Sequence, residues 1–210
     1  MTNALTFYTN PMSRGRIVRW MLEEVGAPYE TVVLDYASTM KGPEYLAINP
    51  MGKVPAIKHG DAVVTECAAI CAYLADAFPQ ANLGPADNEE RARYYRWMFF
   101  AAGPIEAAAN AKAMGWEAPA DKERMLGFGS MAHVLDALEF ALKDTSFVAG
   151  ERFTAADVYF GSHIMWGTQF GTLEKRAAFE PYMARLHNRP AAARAREIDD
   201  ALVAGQQKSS

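Results

Sequence analysis

Apolar and polar positions alternate along "ALTFYT", residues 4–9, as in a half-buried strand. The step then lengthens. In "SRGRIVRWMLEEVG", residues 13–26, the apolar residues Ile17, Trp20, Met21 and Val25 recur at intervals of three and four, and Gly26 ends the run. A second strand pattern, "YETVVLDY", follows at 29–36, so the first third predicts a βαβ unit with parallel strands and a right-handed crossover. "GPEYLAINP" reads as a short helix, "VPAIKHG" and "AVVTE" as a hairpin around His59, Gly60 and Asp61, and "CAAICAYLADAF" as the closing helix.

Strand patterns stop there. Pro79 to Asp87 is polar and carries Pro, Gly and Asn, which marks a linker. Beyond it Phe128, Met131, Leu135, Leu138 and Leu142 step by three and four along one helical face. The predicted division is 1–79, a linker at 80–87, and an all-helical unit at 88–210. Within that unit "FTAADVYF" sets Thr154 three residues ahead of Asp157, the arrangement of a capping box, and so locates the start of a buried helix. It carries no chemistry of its own.

Two local features point to a ligand. Pro55 sits in a strand pattern where it cannot donate to a ladder, which signals an edge, a bulge or a cis bond. With a cis bond, the main chain of Val54 would turn outward to pair with an extended, peptide-like ligand. "TECAAI" places Glu66 and Cys67 where a strand runs into a helix. The N–H groups of that helix start suit a carboxylate and Glu66 suits an ammonium group, which together match an α-amino-acid end. Both residues also fit a plain helix cap.

Composition narrows the classes. The 210 residues carry 21 Lys and Arg against 25 Asp and Glu, a net charge of −4, and no basic run. Nucleic acid is therefore not the expected partner. Charges interrupt every apolar run before the roughly 20 residues a membrane helix needs. "MTNALTFYTN" has neither the basic nor the long apolar region of a secretory leader. Cys67 and Cys71, four apart in a helical pattern, are badly placed for a mutual disulfide, and a reducing cytoplasmic setting is expected. The four histidines show no metal-ligand spacing, so no metal is expected.

Taken together and in order, "YTNPMSRGRIVRWMLEEVG", "INPMGKVPAI", "TECAAI" and "FTAADVYF" resemble the soluble, cytosolic-type bacterial glutathione S-transferases, and among them the serine-type members. The resemblance spans nearly the whole chain. It implies an α/β thioredoxin-like N-terminal domain followed by an all-α C-terminal domain, a cis-proline at Pro55 and a homodimer. It also implies detoxifying conjugation of glutathione, bound as substrate, to a small hydrophobic electrophile. The same thiolate chemistry would serve a glutathione-dependent isomerase or dehalogenase, and the same fold a non-catalytic binding module.

By this resemblance Glu66 and the helix start at Cys67 hold the γ-glutamyl end, Val54 pairs with the cysteinyl backbone beside Pro55, and Lys53 and Lys41 approach the glycyl carboxylate. Where the family usually has Ser, this chain has Cys67, a weaker donor. Ser13, opening the first helix, is the expected donor to the glutathione thiolate; Tyr8 is the alternative, with Thr9 and Asn10 behind it. Arg14 and Arg16 could steer the anionic peptide or simply be solvated. Met12, Phe99, Met114 and Trp116 are the expected contacts of the electrophile, between the two domains.

Overall fold

The computed structural model describes residues 4–117 and 119–207. Its contacts divide the chain into two units. One runs through Gly84 and takes in the chain again from Asn188; the other is Pro85–His187.

In the first unit, β1 (Leu5–Thr9) leads through a turn into α1 (Gly15–Val25), and β2 (Glu30–Val33) returns parallel to β1. A short helix, α2 (Pro43–Leu46), precedes the antiparallel pair β3 (Ala56–His59) and β4 (Ala62–Thr65), and α3 (Cys67–Ala77) closes the segment. The sheet order is β2-β1-β3-β4, with β3 antiparallel to β1. This is the mixed sheet of a thioredoxin-like domain, as the sequence predicts. Leu5 and Phe7 of β1, Ile17, Val18, Met21 and Leu22 of α1, Ile57 of β3, and Ile70 and Leu74 of α3 are buried. Gly26 stops α1 in the left-handed region, φ 70°, with its N–H bonded to Leu22 O at 3.0 Å.

Two boundaries differ from the pattern reading. The strand predicted over 29–36 ends at Val33, because Asp35 nucleates a turn with its own side chain. β3 starts at Ala56, after Pro55, which has no N–H to give a ladder. β2 is exposed throughout, since it is an edge strand.

The second unit contains α4 (Asn88–Phe100), α5 (Glu106–Ala113), α6 (Met131–Leu142), α7 (Ala155–Phe170) and α8 (Glu180–His187). A π-helical stretch, Ala101–Ile105, joins α4 to α5 where Pro104 withholds a donor. Phe128 precedes α6, whose cap is Ser130, so the buried face is Val134, Leu135, Leu138, Ala141 and Leu142. The capping box at α7 is present. The Asp157 carboxylate accepts from Thr154 N at 2.9 Å, and also from Val148 N at 2.8 Å and Tyr182 Oη at 2.9 Å.

The last helix, α9 (Pro190–Gln207), departs from the division at 88–210. It groups with the first unit and packs on α1, and its Ala191, Ala192 and Ala195 are buried. Its small residues let the two helices approach, and Arg19 of α1 meets Asp199 of α9 at 3.2 Å with both side chains buried. Arg189 adds a two-pronged contact to Glu24, 2.6 and 2.7 Å. No local pattern announces this pairing, because its partners lie some 180 residues apart in sequence.

Candidate functional site

The strand register gathers the candidate residues. Tyr8, Ala56 and Thr65 lie side by side on β1, β3 and β4, so the next step along the sheet brings Thr9, Pro55 and Glu66 to one end. Ser13, Val54 and Cys67 follow from those three strands, and the Val54–Pro55 bond is cis. Sequence reasoning found most of these residues separately. The register is what places them at one edge.

Between β1 and α1 the main chain is held at consecutive carbonyls. Asn10, buried, donates its amide to Leu34 O at 2.8 Å, and its Oδ1 accepts from Met12 N at 2.9 Å. Asn10 O accepts from Ser13 N at 3.0 Å and from the Ser13 hydroxyl at 2.6 Å. Arg16 Nε donates to Pro11 O at 2.6 Å, while its Nη1 meets Asp200 of α9 at 2.8 Å. Tyr36 Oη donates to Met12 O at 3.2 Å, and the Cys67 thiol points at Arg14 O, 3.7 Å away. Arg16 is therefore committed to the turn. Of the two roles the sequence leaves open, steering would have to come from a guanidinium already bonded on two sides, and a simply solvated arginine is not what the fold makes of it.

Ser13 is half-buried just ahead of α1, and its Oγ accepts from Gly15 N at 2.9 Å. That bond satisfies one of the free N–H groups at a helix start, as a cap does, and sets the oxygen in the positive field of the helix end. The hydroxyl has a single proton, turned here toward Asn10 O; donation to a ligand requires only rotation about the Cβ–Oγ bond. Gly15 is needed for this approach. A Cβ there would stand 2.0 Å from Thr9 Oγ1 and 3.0 Å from Ser13 Oγ.

Tyr8 has other neighbours. Its ring packs at 5.6 Å from that of Tyr45, against the buried cluster of Leu34, Met40, Tyr45 and Ala56 that Val54 also joins. Alternation along β1 turns Tyr8 to the face opposite Phe7, which meets Arg19 and Tyr29.

The stretch before β3 is pinned in the same manner as the first turn. Lys53 O accepts from Tyr45 Oη at 2.6 Å and from Asn49 Nδ2 at 2.8 Å, and Asn49 Oδ1 accepts from Met51 N at 3.1 Å. Burial pushes the Tyr45 phenol up to about 12, so it stays a donor. The Lys53 side chain is exposed, and Lys41 Nζ donates to Gly52 O at 2.6 Å. Both Asn-Pro pairs, Asn10–Pro11 and Asn49–Pro50, thus form a local turn with Oδ1, while Nδ2 reaches the carbonyl of Leu34 across the sheet in the first pair and that of Lys53, four residues on, in the second. The dipeptide is a turn signal that sequence reasoning passed over.

Glu66 is exposed and precedes α3 with φ 67°, ψ 120°, a conformation that side chains other than glycine rarely adopt. Such strain, of order 1–3 kcal/mol, persists where the surroundings hold it, and it gathers at binding sites. Cys67 is buried at the helix start. Of the residues expected to meet a hydrophobic substrate, Met12 is exposed in the first unit, and Phe99, Met114 and Trp116 are exposed in the second. Among the described residues, no group of three or more His, Cys, Asp or Glu could hold a metal ion. No helix there is long and apolar enough to cross a membrane.

Comparison with known proteins gives a consistent result. The family model described as "Glutathione S-transferase, N-terminal domain" matches residues 12–77, and the corresponding C-terminal domain matches residues 99–190. Glutathione S-transferase GstA of Escherichia coli O157:H7 is 30% identical over 191 residues, covering 87% of this chain and 90% of that protein. Among solved structures, a glutathione transferase homologue from Sulfitobacter with bound glutathione superposes with a TM-score of 0.72 at 28% identity, covering 93% of this chain and 98% of the other. The transferase URE2P6 of Phanerochaete chrysosporium, in complex with oxidized glutathione, gives 0.75 at 29% identity, covering 95% and 97%.

Proposed function

The chain belongs to the glutathione S-transferase family, and from that membership we propose that it binds glutathione and stabilises its thiolate through Ser13. The thiolate then attacks an electrophilic carbon of a small hydrophobic partner. A new C–S bond forms and the leaving group departs with its electron pair. A free thiol of pKa about 8.5 is mostly protonated at neutral pH, so the catalytic task is to favour the thiolate. A hydroxyl donor at a helix N-terminus does so.

The observation that carries the serine-type reading is the placement of Ser13 Oγ, held by Gly15 N at the start of α1. In the same reading Glu66 takes the ammonium of the γ-glutamyl end, the N–H groups at Cys67 its carboxylate, and the Val54 main chain beside Pro55 the cysteinyl backbone. Lys53 and Lys41 approach the glycyl carboxylate. Met12, Phe99, Met114 and Trp116 meet the electrophile, the enzyme works as a homodimer, and its setting is the cytoplasm. The relatives with bound glutathione or oxidized glutathione support the choice of substrate.

One observation favours a second reading, a glutathione-binding module without chemistry. The Ser13 proton is directed at Asn10 O in a short contact of 2.6 Å that a thiolate must outcompete. An ultraviolet difference titration of the bound glutathione thiol separates the two. A lowered pKa in the parent, returned toward about 8.5 by Ser13→Ala and not by Tyr8→Phe, supports the serine-type enzyme. The converse pattern names Tyr8, and an unshifted pKa in the parent leaves a binder. A panel of electrophiles, including maleyl and chlorinated aromatic compounds, then separates conjugation from isomerisation and dehalogenation.

A further inference from the structure

Beyond β2 the chain forms a turn that is unusually well bonded for an exposed segment. Asp35 Oδ1 accepts from Ala37 N at 3.0 Å, from Ser38 N at 3.0 Å and from Ser38 Oγ at 2.9 Å. Asp35 N donates to Thr39 Oγ1 at 2.8 Å, and Asp35 O accepts from Met40 N at 3.0 Å. The hydrogen bonds from Ser38 and Ala37 hold the Asp35 carboxyl below its ordinary range, as a carboxylate with several donors should be. Leu34 N, bonded to Thr9 O at 2.8 Å, ties the turn to the end of β1.

A turn of this rigidity presents the Tyr36 side chain, which takes no part in these internal bonds. The phenol donates to Met12 O, on the residue immediately before Ser13. Tyr36 is 49% exposed and Met12 68%, so two large residues stand open beside the loop that carries Ser13. Tyr8, by contrast, spends its ring on the Tyr45 contact.

We propose that Tyr36 is a further residue of this site: its phenol braces the main chain at Met12, and its ring forms, with the Met12 side chain, the face against which a flat, electron-poor aromatic electrophile docks. The chemistry suits that class. An electron-rich phenol ring stacks on an electron-poor one, and a thioether is polarizable and adapts to ring edges. Rigid mounting matters as well, because a donor such as Ser13 works only while the reacting atoms stay within a few tenths of an ångström of productive geometry. The inference rests on the reading of Ser13 as the thiolate donor.

The test is calorimetric binding of glutathione and of S-(2,4-dinitrophenyl)glutathione, a stable conjugate with an electron-poor ring, to the parent, Tyr36→Phe and Tyr36→Ala. Steady-state kinetics with 1-chloro-2,4-dinitrobenzene, which gives that conjugate with loss of chloride, accompany it. All three proteins are expected to bind glutathione within about twofold of one another, while Tyr36→Ala binds the conjugate about 5- to 10-fold more weakly. Tyr36→Phe keeps the ring, so its conjugate affinity and KM for the electrophile stay near the parent's while kcat falls as the brace is lost. Unchanged conjugate affinity in Tyr36→Ala overturns the inference and leaves the transferase reading standing. So does an equal loss for glutathione and conjugate, the signature of a merely structural residue. A parent that binds neither compound overturns the transferase reading, and this inference with it.

Discussion

Gly15→Ala sets two physical effects of opposite sign against each other. At a helix position without other constraint, alanine is better than glycine by up to about 1 kcal/mol, because glycine loses more backbone entropy on folding. Here the added methyl would stand 2.0 Å from Thr9 Oγ1, 3.2 Å from Thr9 Cβ and 3.0 Å from Ser13 Oγ. Thr9 is fully buried and paired with Val33 at the end of β1, and its carbonyl holds Leu34 N, so the threonine cannot retreat alone. Relieving the contact means opening the β1–α1 approach by more than an ångström. Overpacking of this kind costs about 1–3 kcal/mol, which outweighs the gain in propensity.

The expected result is a net loss of about 2 kcal/mol in urea unfolding, with a rise in the pKa of the bound glutathione thiol, because Ser13 moves with the helix start. Thr9→Ala removes the closest atom. The hydrogen bond it sacrifices is long, 3.4 Å to Asn10 O, so the single variant should lose little. In the Thr9→Ala/Gly15→Ala double variant the nearest atoms stand at 3.0 and 3.2 Å, and at least half of the lost stability and most of the pKa shift should return. A Gly15→Ala protein as stable as the parent would refute the steric argument, and so would strictly additive effects in the double variant.

Two further outcomes are expected. Burial pushes the Asp157 carboxyl up to about 6 from 3.8, against the hydrogen bonds from Val148, Thr154 and Tyr182. The folded state then binds the proton more tightly than the unfolded state, so this contribution is fully present below about pH 4 and is lost as pH rises through 6. The loss is about 3 kcal/mol, a slope that denaturant unfolding should show in the parent and not in Asp157→Asn; matching slopes count against it. Glu66→Gly relieves the positive φ of 67°, so stability should hold or rise by up to about 1 kcal/mol while glutathione binding weakens at least tenfold. Unimpaired binding in that variant would show that Glu66 does not hold the γ-glutamyl end.

What could be read from the residues alone was whatever neighbours in sequence decide. The 3.6-residue period of α1 and its Gly26 stop, the β3–β4 hairpin, the helix start at Cys67 and the capping box of Thr154 and Asp157 are all set within a few positions of chain. The order of the segments along the chain then pointed to the family, and with it to Ser13, while Val54 and Glu66 already stood out locally, beside Pro55 and at the start of α3. Tertiary structure decided everything that depends on partners far apart. The return of α9 to α1 rests on Arg19–Asp199, Arg16–Asp200 and Arg189–Glu24, and any of these arginines reads in isolation as a solvated charge. The same holds for the demand that residue 15 be glycine, which comes from Thr9 across the turn, and for the hold of Tyr36 on Met12. Hydrophobic period and capping are local properties of a chain, whereas a hydrogen bond between distant residues exists only once the backbone has brought them within about 3 Å.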